Sequence, residues 1–351
     1  MIRRSLNVLV PTLAAATLAT LTLTAQETGV KNKRPVFAGA CKVCPWGAVG
    51  EIVKGALQNY GYEVLICSSC AQSEGPRLVA GARMPSPPNP ATEAALQLPP
   101  NQRYPLPNGP VDFGATSVQN LYRAYEGKGA YATEGPRRNL RLLATIQAPN
   151  YLIVAVKSEL GVTDLSQLKA KRWPLRVLVG NEGQEVLNYY GLTRQTIESA
   201  GGHVGSTTNV AERGNFDAVV AGGSLGNAPE FNVWYEVSQK YNLTYLQLPE
   251  ALLDKLAKEN DMQRGSIPNG LLRGIDHPIP TVVRTGHVVF GRDDMPDDFA
   301  YLVARALDEH QELLQWSHLN FSYNIHTVWK ALDVPLHPGS AKYYRERGYM
   351  K

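Results

Sequence analysis

The chain has 351 residues, 44% of them hydrophobic and 19% charged, with a formal net charge of +4. Two of the positive charges, Arg3 and Arg4, sit in an N-terminal leader, so the remainder is near neutral, a globular chain long enough for two lobes of ordinary domain size. No basic stripe interleaved with aromatics is present, which excludes an electrostatic footprint for nucleic acid, and no apolar run after the leader approaches the roughly 18 residues of a membrane span.

The leader comes first. Met1-Ile2-Arg3-Arg4 is a short positive region, and the stretch from Leu6 to Leu23 carries no charge. Thr24-Ala25-Gln26-Glu27 offers a small residue for cleavage, and Pro11 with several threonines makes the run weak as a permanent span. Residues 1–25 are therefore read as a cleaved signal peptide rather than a retained anchor, and the mature chain as exported to the periplasm. No lipobox cysteine follows the apolar run, so no lipid anchor is expected.

Strand and helix signals then alternate. Pro35 to Ala40 reads as a strand, and Val49, Ile52, Val53, Ala56 and Leu57 give helical spacing over Gly47 to Tyr60. A strand at Tyr62 to Ile66, a helix at Ser73 to Ala80, a strand at Val111 to Ala115 and a helix at Val118 to Tyr125 follow. This order implies βαβ units around a parallel sheet. The proline-rich stretch from Met84 to Pro110 cannot form a regular interior element and is read as a surface insertion.

Strands at Arg141 to Gln147 and Leu152 to Lys157 open a second series. Helices are expected at Asp164 to Lys171, Gln184 to Tyr190, Thr193 to Ala200 and Pro229 to Tyr241. Strands are expected at Leu175 to Gly180, Asp217 to Gly223 and Leu243 to Leu246. One long strand from Thr281 to Phe290 returns the chain to the first series, and helices at Pro296 to Leu314, Ser322 to Leu332 and Pro338 to Arg347 end it. The division is a signal peptide at 1–25, lobe I at 35–148 and 287–351 with the insertion at 84–110, and lobe II at 149–286. The fold class is α/β, each lobe a mostly parallel sheet flanked by helices, with a ligand cleft between them.

Several segments carry a family resemblance. Val111-Asp112-Phe113-Gly114-Ala115-Thr116-Ser117 with Tyr122-Arg123-Ala124-Tyr125-Glu126-Gly127 resembles the TAXI family of solute-binding subunits of TRAP transporters. So do Val162 to Lys169, Phe216 to Gly223 with Asn227-Ala228-Pro229, Asp293 to Tyr301, and the ending His337 to Tyr344. The resemblance implies a two-lobed periplasmic-binding-protein fold that closes on a small organic anion such as an amino acid or dicarboxylate. It also implies delivery to the permease subunits of a sodium-coupled TRAP transporter, by a monomeric receptor without enzymatic activity or resident cofactor. In the two loops where relatives carry glycine- and serine-rich sequence, this chain has Ala40 to Gly47 and Cys67 to Glu74.

Those loops hold all four cysteines, Cys41 and Cys44, Cys67 and Cys70, as two C-x-x-C units. Each unit falls between a strand and a helix, at the sheet edge that faces ligands in parallel α/β proteins. Three chemistries fit the spacing: disulfides, favoured by an oxidising compartment; a four-thiolate metal site; or a redox thiol at a helix start. The second and third would make the protein a metal or redox-cofactor carrier on the same fold. Neither unit is followed by histidine, which removes covalent haem attachment.

Ligand-binding candidates come from the same loops. Trp46 can stack on a ligand or plug its lobe. Ser68 and Ser69, and Thr116, Ser117 and Gln119, open helices on one side of the cleft; Asn181, Glu182, Gln184 and Asn227 stand in loops on the other. For each polar residue the plain alternative is a cap on its own helix. Tyr151 and Arg141 flank the crossing between lobes. Catalytic patterns are missing: His310, His318 and His326 lack metalloprotease spacing, Gly223-Ser224-Leu225-Gly226 is not a nucleophile elbow, and Gly39, Gly47 and Gly50 make no dinucleotide fingerprint.

Overall fold

The computed structural model describes residues 29–39, 45–67, 70, 73–86, 104–147, 149–180, 182–207, 209–224, 232–316 and 323–351. The leader, Cys41, Cys44, Ser68, Ser69, Asn181, Asn227 and most of the proline-rich insertion lie outside these residues. Among the described residues, no helix is long and apolar enough to cross a membrane.

Two sheets flanked by helices build the protein. In the first, strands β1 (Val36–Ala38), β2 (Leu65–Cys67), β3 (Phe113–Ser117), β4 (Leu140–Ile146) and β12 (His287–Arg292) stand in the order β2-β1-β3-β12-β4. Helices α1 (Pro45–Gln58), α2 (Glu74–Gly81) and α3 (Val118–Glu126) follow β1, β2 and β3. β1 runs parallel to β2 and β3, while β12 runs against both β3 and β4. Thus β2, β1, β3 and β4 share one direction and only the returning strand opposes them.

The second sheet holds β5 (Asn150–Lys157), β6 (Arg176–Val179), β7 (His203–Ser206), β8 (Ala218–Ser224), β9 (Leu243–Tyr245), β10 (Gln263–Ile267) and β11 (Ile279–Arg284). Its order is β10-β11-β5-β8-β6-β7, with β9 also on β5. Helices α4 (Ser166–Ala170), α5 (Gly183–Tyr189), α6 (Arg194–Ser199), α7 (Asn232–Lys240) and α8 (Glu250–Glu259) cover it.

Both faces of each sheet are apolar, as helices on both sides require. Phe37 enters one core of the first lobe while Val36 and Ala38 enter the other. Along β5, Leu152, Val154 and Val156 alternate in the same way with Tyr151, Ile153 and Ala155. Each valine, leucine, isoleucine or phenylalanine among them, fully buried, contributes about 1.5–3 kcal/mol.

The chain crosses between the sheets twice, once from Ile146 to Asn150 and once from Arg284 to His287. The second crossing corrects the expectation of one strand from Thr281 to Phe290. Gly286 has φ +106°, a conformation that residues with a Cβ rarely adopt, and it separates β11 from β12.

Three further expectations change at the C-terminal side. The helix expected at Pro296 to Leu314 is two, α9 (Asp297–Glu309) and α10 (Glu312–Trp316), separated at His310 and Gln311. The helix expected at Ser322 to Leu332 is absent among the described residues, where 325–329 form turns. Asn324 Oδ1 accepts from His326 N at 2.9 Å, a local bond that competes with helix. The following backbone serves the free edge of β4 instead: Thr145 N donates to Val328 O and Leu142 N to Pro335 O, closing an edge that would otherwise be exposed. The last helix, α11 (Pro338–Glu346), packs on α9, where Tyr343 donates to Asp308 at 2.6 Å. No element was expected where α8 and β10 stand.

Candidate functional site

The ends of β3 and β4 in the first lobe and of β8 and β11 in the second lie at the two crossings. Register brings distant residues together there: His287 pairs with both Ser117 and Ile146, and Asn150 pairs with both Arg284 and Ser224.

Polar atoms gather at this junction without partners. Gln119 is 1% exposed, yet neither its Oε1 nor its Nε2 is bonded. Trp46 Nε1, Asn150 Oδ1, Asn232 Oδ1, Arg284 Nε and His287 Nδ1 are buried and unbonded as well. A buried amide or hydroxyl left unsatisfied costs about 1–3 kcal/mol. Arg137 Nε, Tyr323 Oη, Trp329 Nε1 and His337 Nε2 are likewise buried and unbonded elsewhere in the first lobe, but there they do not face atoms of the same kind from the second lobe.

The α3 helix shows which way Gln119 faces. Ser117 caps this helix, its Oγ accepting from Asn120 N at 3.1 Å. Gln119 and Arg123 are one turn apart on the same face, and Arg123 reaches the second lobe, where Nε donates to Asp261 Oδ2 at 2.7 Å. Gln119 therefore looks across toward the second lobe.

In the second lobe, Arg284 forms an ion pair with Glu182. Their side chains are 24% and 6% exposed. Burial first, and the positive charge of Arg123 second, push the Arg284 guanidinium down to about 10, so it stays charged at neutral pH. Glu182 stands before α5 in a left-handed conformation, φ 59°. Gly180 and Gly183 on either side pack against β8: a Cβ on Gly183 would lie 2.3 Å from Val220 O and one on Gly180 2.8 Å from Ala221 Cβ.

In the first lobe, Trp46 meets His287 edge-on with ring centroids 6.3 Å apart. Burial pushes the His287 imidazole down to about 4, leaving it neutral at physiological pH.

The sequence candidates divide accordingly. Trp46, Gln119 and Glu182 stand at the junction. Ser117 is a helix cap, Thr116 Oγ1 accepts from Asn120 Nδ2 at 2.8 Å, and Gln184 donates to Asn188 at 3.0 Å along its own helix, so these three serve local structure. Arg141 lies at the start of β4, far from the crossing, where it holds Asp293 at 3.2 Å; Tyr151 turns into the opposite core of the second lobe. The residues missed are Asn150, Asn232, Arg284 and His287. For Asn150, Arg284 and His287 the only signal was position next to a crossing; Asn232, at the start of α7, had none.

Cys67 and Cys70 are joined by a disulfide. The four-thiolate metal site and the free redox thiol drop out for this unit, because both sulfurs are spent on each other. Among the described residues, no group of three or more His, Cys, Asp or Glu side chains could hold a metal ion.

A separate cavity of about 590 Å³ lies beside the first residues of β1 and β2, lined by Arg34, Lys54, Tyr104 and Pro105 among others. It lies at the opposite end of the strands, and none of its lining residues carries one of the partnerless polar atoms. The junction is the candidate site.

A family model described as NMT1-like matches residues 104–348, most of the chain. The chain belongs to the NMT1-like family. Solved structures similar to this NMT1-like protein include the glycine betaine/L-proline-binding protein ProX of Borrelia burgdorferi, at 11% identity and TM-score 0.40, covering 82% of this chain and 98% of that one. A periplasmic transporter is similar at 13% identity and TM-score 0.37, covering 90% and 92%. The second substrate-binding domain of GlnP from Lactococcus lactis is similar at 10% identity and TM-score 0.38, covering 83% and 97%. The family match carries the assignment.

Proposed function

We propose that this NMT1-like protein is an extracytoplasmic solute-binding receptor that takes up a small organic anion between its lobes. The observation that carries the reading is the set of buried, partnerless polar atoms contributed by both lobes where two short crossings join them. A binding site needs convergent polar groups and a way to close, and paired crossings of this length allow rigid-body closure. Arg284 supplies the cation, Gln119 and Asn150 supply donors and acceptors, and Trp46 and His287 supply flat walls. The reading makes the protein a non-enzymatic monomer, exported by the leader at 1–25.

Delivery to a TRAP-type permease of the TAXI class is the narrower proposal, supported by the sequence resemblance. Uptake that needs the protein and collapses with the sodium gradient would support it, whereas uptake driven by ATP hydrolysis would point to an ABC partner.

The receptor reading is tested by a thermal-shift screen of the mature protein against organic acids and amino acids. At least one small carboxylate should raise Tm in proportion to log concentration; a panel without a single stabilising solute would reject the reading.

A further inference from the structure

We infer that Glu182 is an internal stand-in for the solute's carboxylate, holding Arg284 until a solute exchanges for it. The inference rests on the receptor reading and deepens it by naming the residue that sets affinity and selectivity at the site.

Arg284 is a mostly buried cation, and a buried guanidinium requires an anionic partner. Glu182 provides that partner from a different element, the turn between β6 and α5, with a side chain only 6% exposed. Both charges are thus already out of water. A solute carboxylate that displaces Glu182 leaves the number of paired charges around Arg284 unchanged, and the displaced carboxylate can return to solvent.

Two local features fit exchange better than a permanent strut. Arg284 Nε is buried and unbonded, so part of the guanidinium fork remains open to a bidentate carboxylate. Glu182 also holds its left-handed backbone, φ 59°, a conformation disfavoured for a residue with a Cβ. Gly180 and Gly183 pack closely against β8, so the backbone there is held while the Glu182 side chain exchanges. Asn150 Oδ1, in register beside Arg284, and the Gln119 amide can then bond the rest of the solute.

The favoured solute class is a carboxylate without a cationic group near the carboxyl. An ammonium placed there would be drawn to Glu182 and would bind with it rather than replace it. Exchange and co-binding therefore give opposite signs for the same substitution.

The test is calorimetric titration of succinate, acetate and L-glutamate into the wild type, Glu182→Gln and Arg284→Lys. Exchange predicts that Glu182→Gln binds the best carboxylate about tenfold more tightly and that acetate restores its lowered Tm; Arg284→Lys should bind about tenfold more weakly. Glu182→Asp, if the glutamine variant does not fold, should show a smaller gain in the same direction. If the wild type binds a carboxylate and Glu182→Gln binds it equally or less tightly, exchange is overturned. A wild type that binds none of the panel, nor any solute in the wider screen, fails the receptor reading instead.

Discussion

Arg123 and Asp261 lie in different lobes, and the 2.7 Å bond from Arg123 Nε to Asp261 Oδ2 ties α3 to the turn before β10. The pair is 28% and 26% exposed, so its contribution to folding is below about 1 kcal/mol. If the lobes open and close as proposed, its effect on their separation is larger in relative terms, because two conformations of one protein commonly differ by only a few kcal/mol. Asp261→Asn should leave Tm within a few degrees of wild type and increase the radius of gyration seen by solution scattering. High salt should widen the wild type in the same way; an unchanged radius in both cases would remove the pair from the account of closure.

Gln119 predicts a trade between stability and binding. Replacing it with leucine removes two partnerless polar atoms at similar volume. Gln119→Leu should therefore be as stable as wild type or more stable, by up to about 2 kcal/mol, while losing about tenfold or more in solute affinity. Chemical denaturation and calorimetry read the two effects separately. Loss of stability together with affinity would mean that Gln119 serves the fold.

His287 makes stability depend on acid. Its imidazole sits near 4 in the folded protein against 6.5 unperturbed, so below 6.5 the unfolded chain takes up a proton that the folded one refuses. Stability should fall as pH drops from about 6.5 toward 4, by at most about 3 kcal/mol. His337, also lowered by burial, adds in the same direction. Asp112 works the other way: burial raises it from 3.8 to about 6, so the folded state gains stability as pH falls through that window. Because the two signs oppose, the informative measurement is the difference between wild type and His287→Phe. The variant should lose less Tm than wild type between about pH 7 and about pH 5, and equal losses would contradict the assignment.

The disulfide between Cys67 and Cys70 closes a very short loop, three residues apart in sequence. On loop-entropy grounds it adds only about 2 kcal/mol. Cys70→Ser should therefore fold, with Tm lowered by several degrees, and it should bind the same solutes as wild type. Failure to fold would show that the bond does more than restrict the unfolded chain.

Much of the scaffold was legible in the sequence. The short apolar run Val36-Phe37-Ala38 marked a strand, which the structure buries on both faces, and Ser117 marked the start of α3. The signal for α8 was present in Leu252, Leu253 and Leu256 behind Glu250, and it was simply unread. The helix expected at Ser322 to Leu332 misled because, among the described residues, turns bonded by Asn324 bring the Val328 and Lys330 carbonyls to the edge of β4. The site itself was least legible. A polar residue at a strand end, such as Asn150 or Arg284, reads the same whether it faces water or another lobe. Only the pairing of β5 with β11, and of β3 with β12, puts these residues together, and such pairing is set by tertiary packing rather than local pattern. Gln119 could be flagged as a helix-opening polar residue; that it has no partner needed the structure.

The most direct test of the central claim is a crystal structure with the best carboxylate from the screen. The account predicts the solute between the lobes, bonded to Arg284 in the second lobe and to Gln119 in the first, with Glu182 turned away. A solute bound elsewhere, such as in the cavity beside Tyr104, with Glu182 still paired to Arg284, would contradict it.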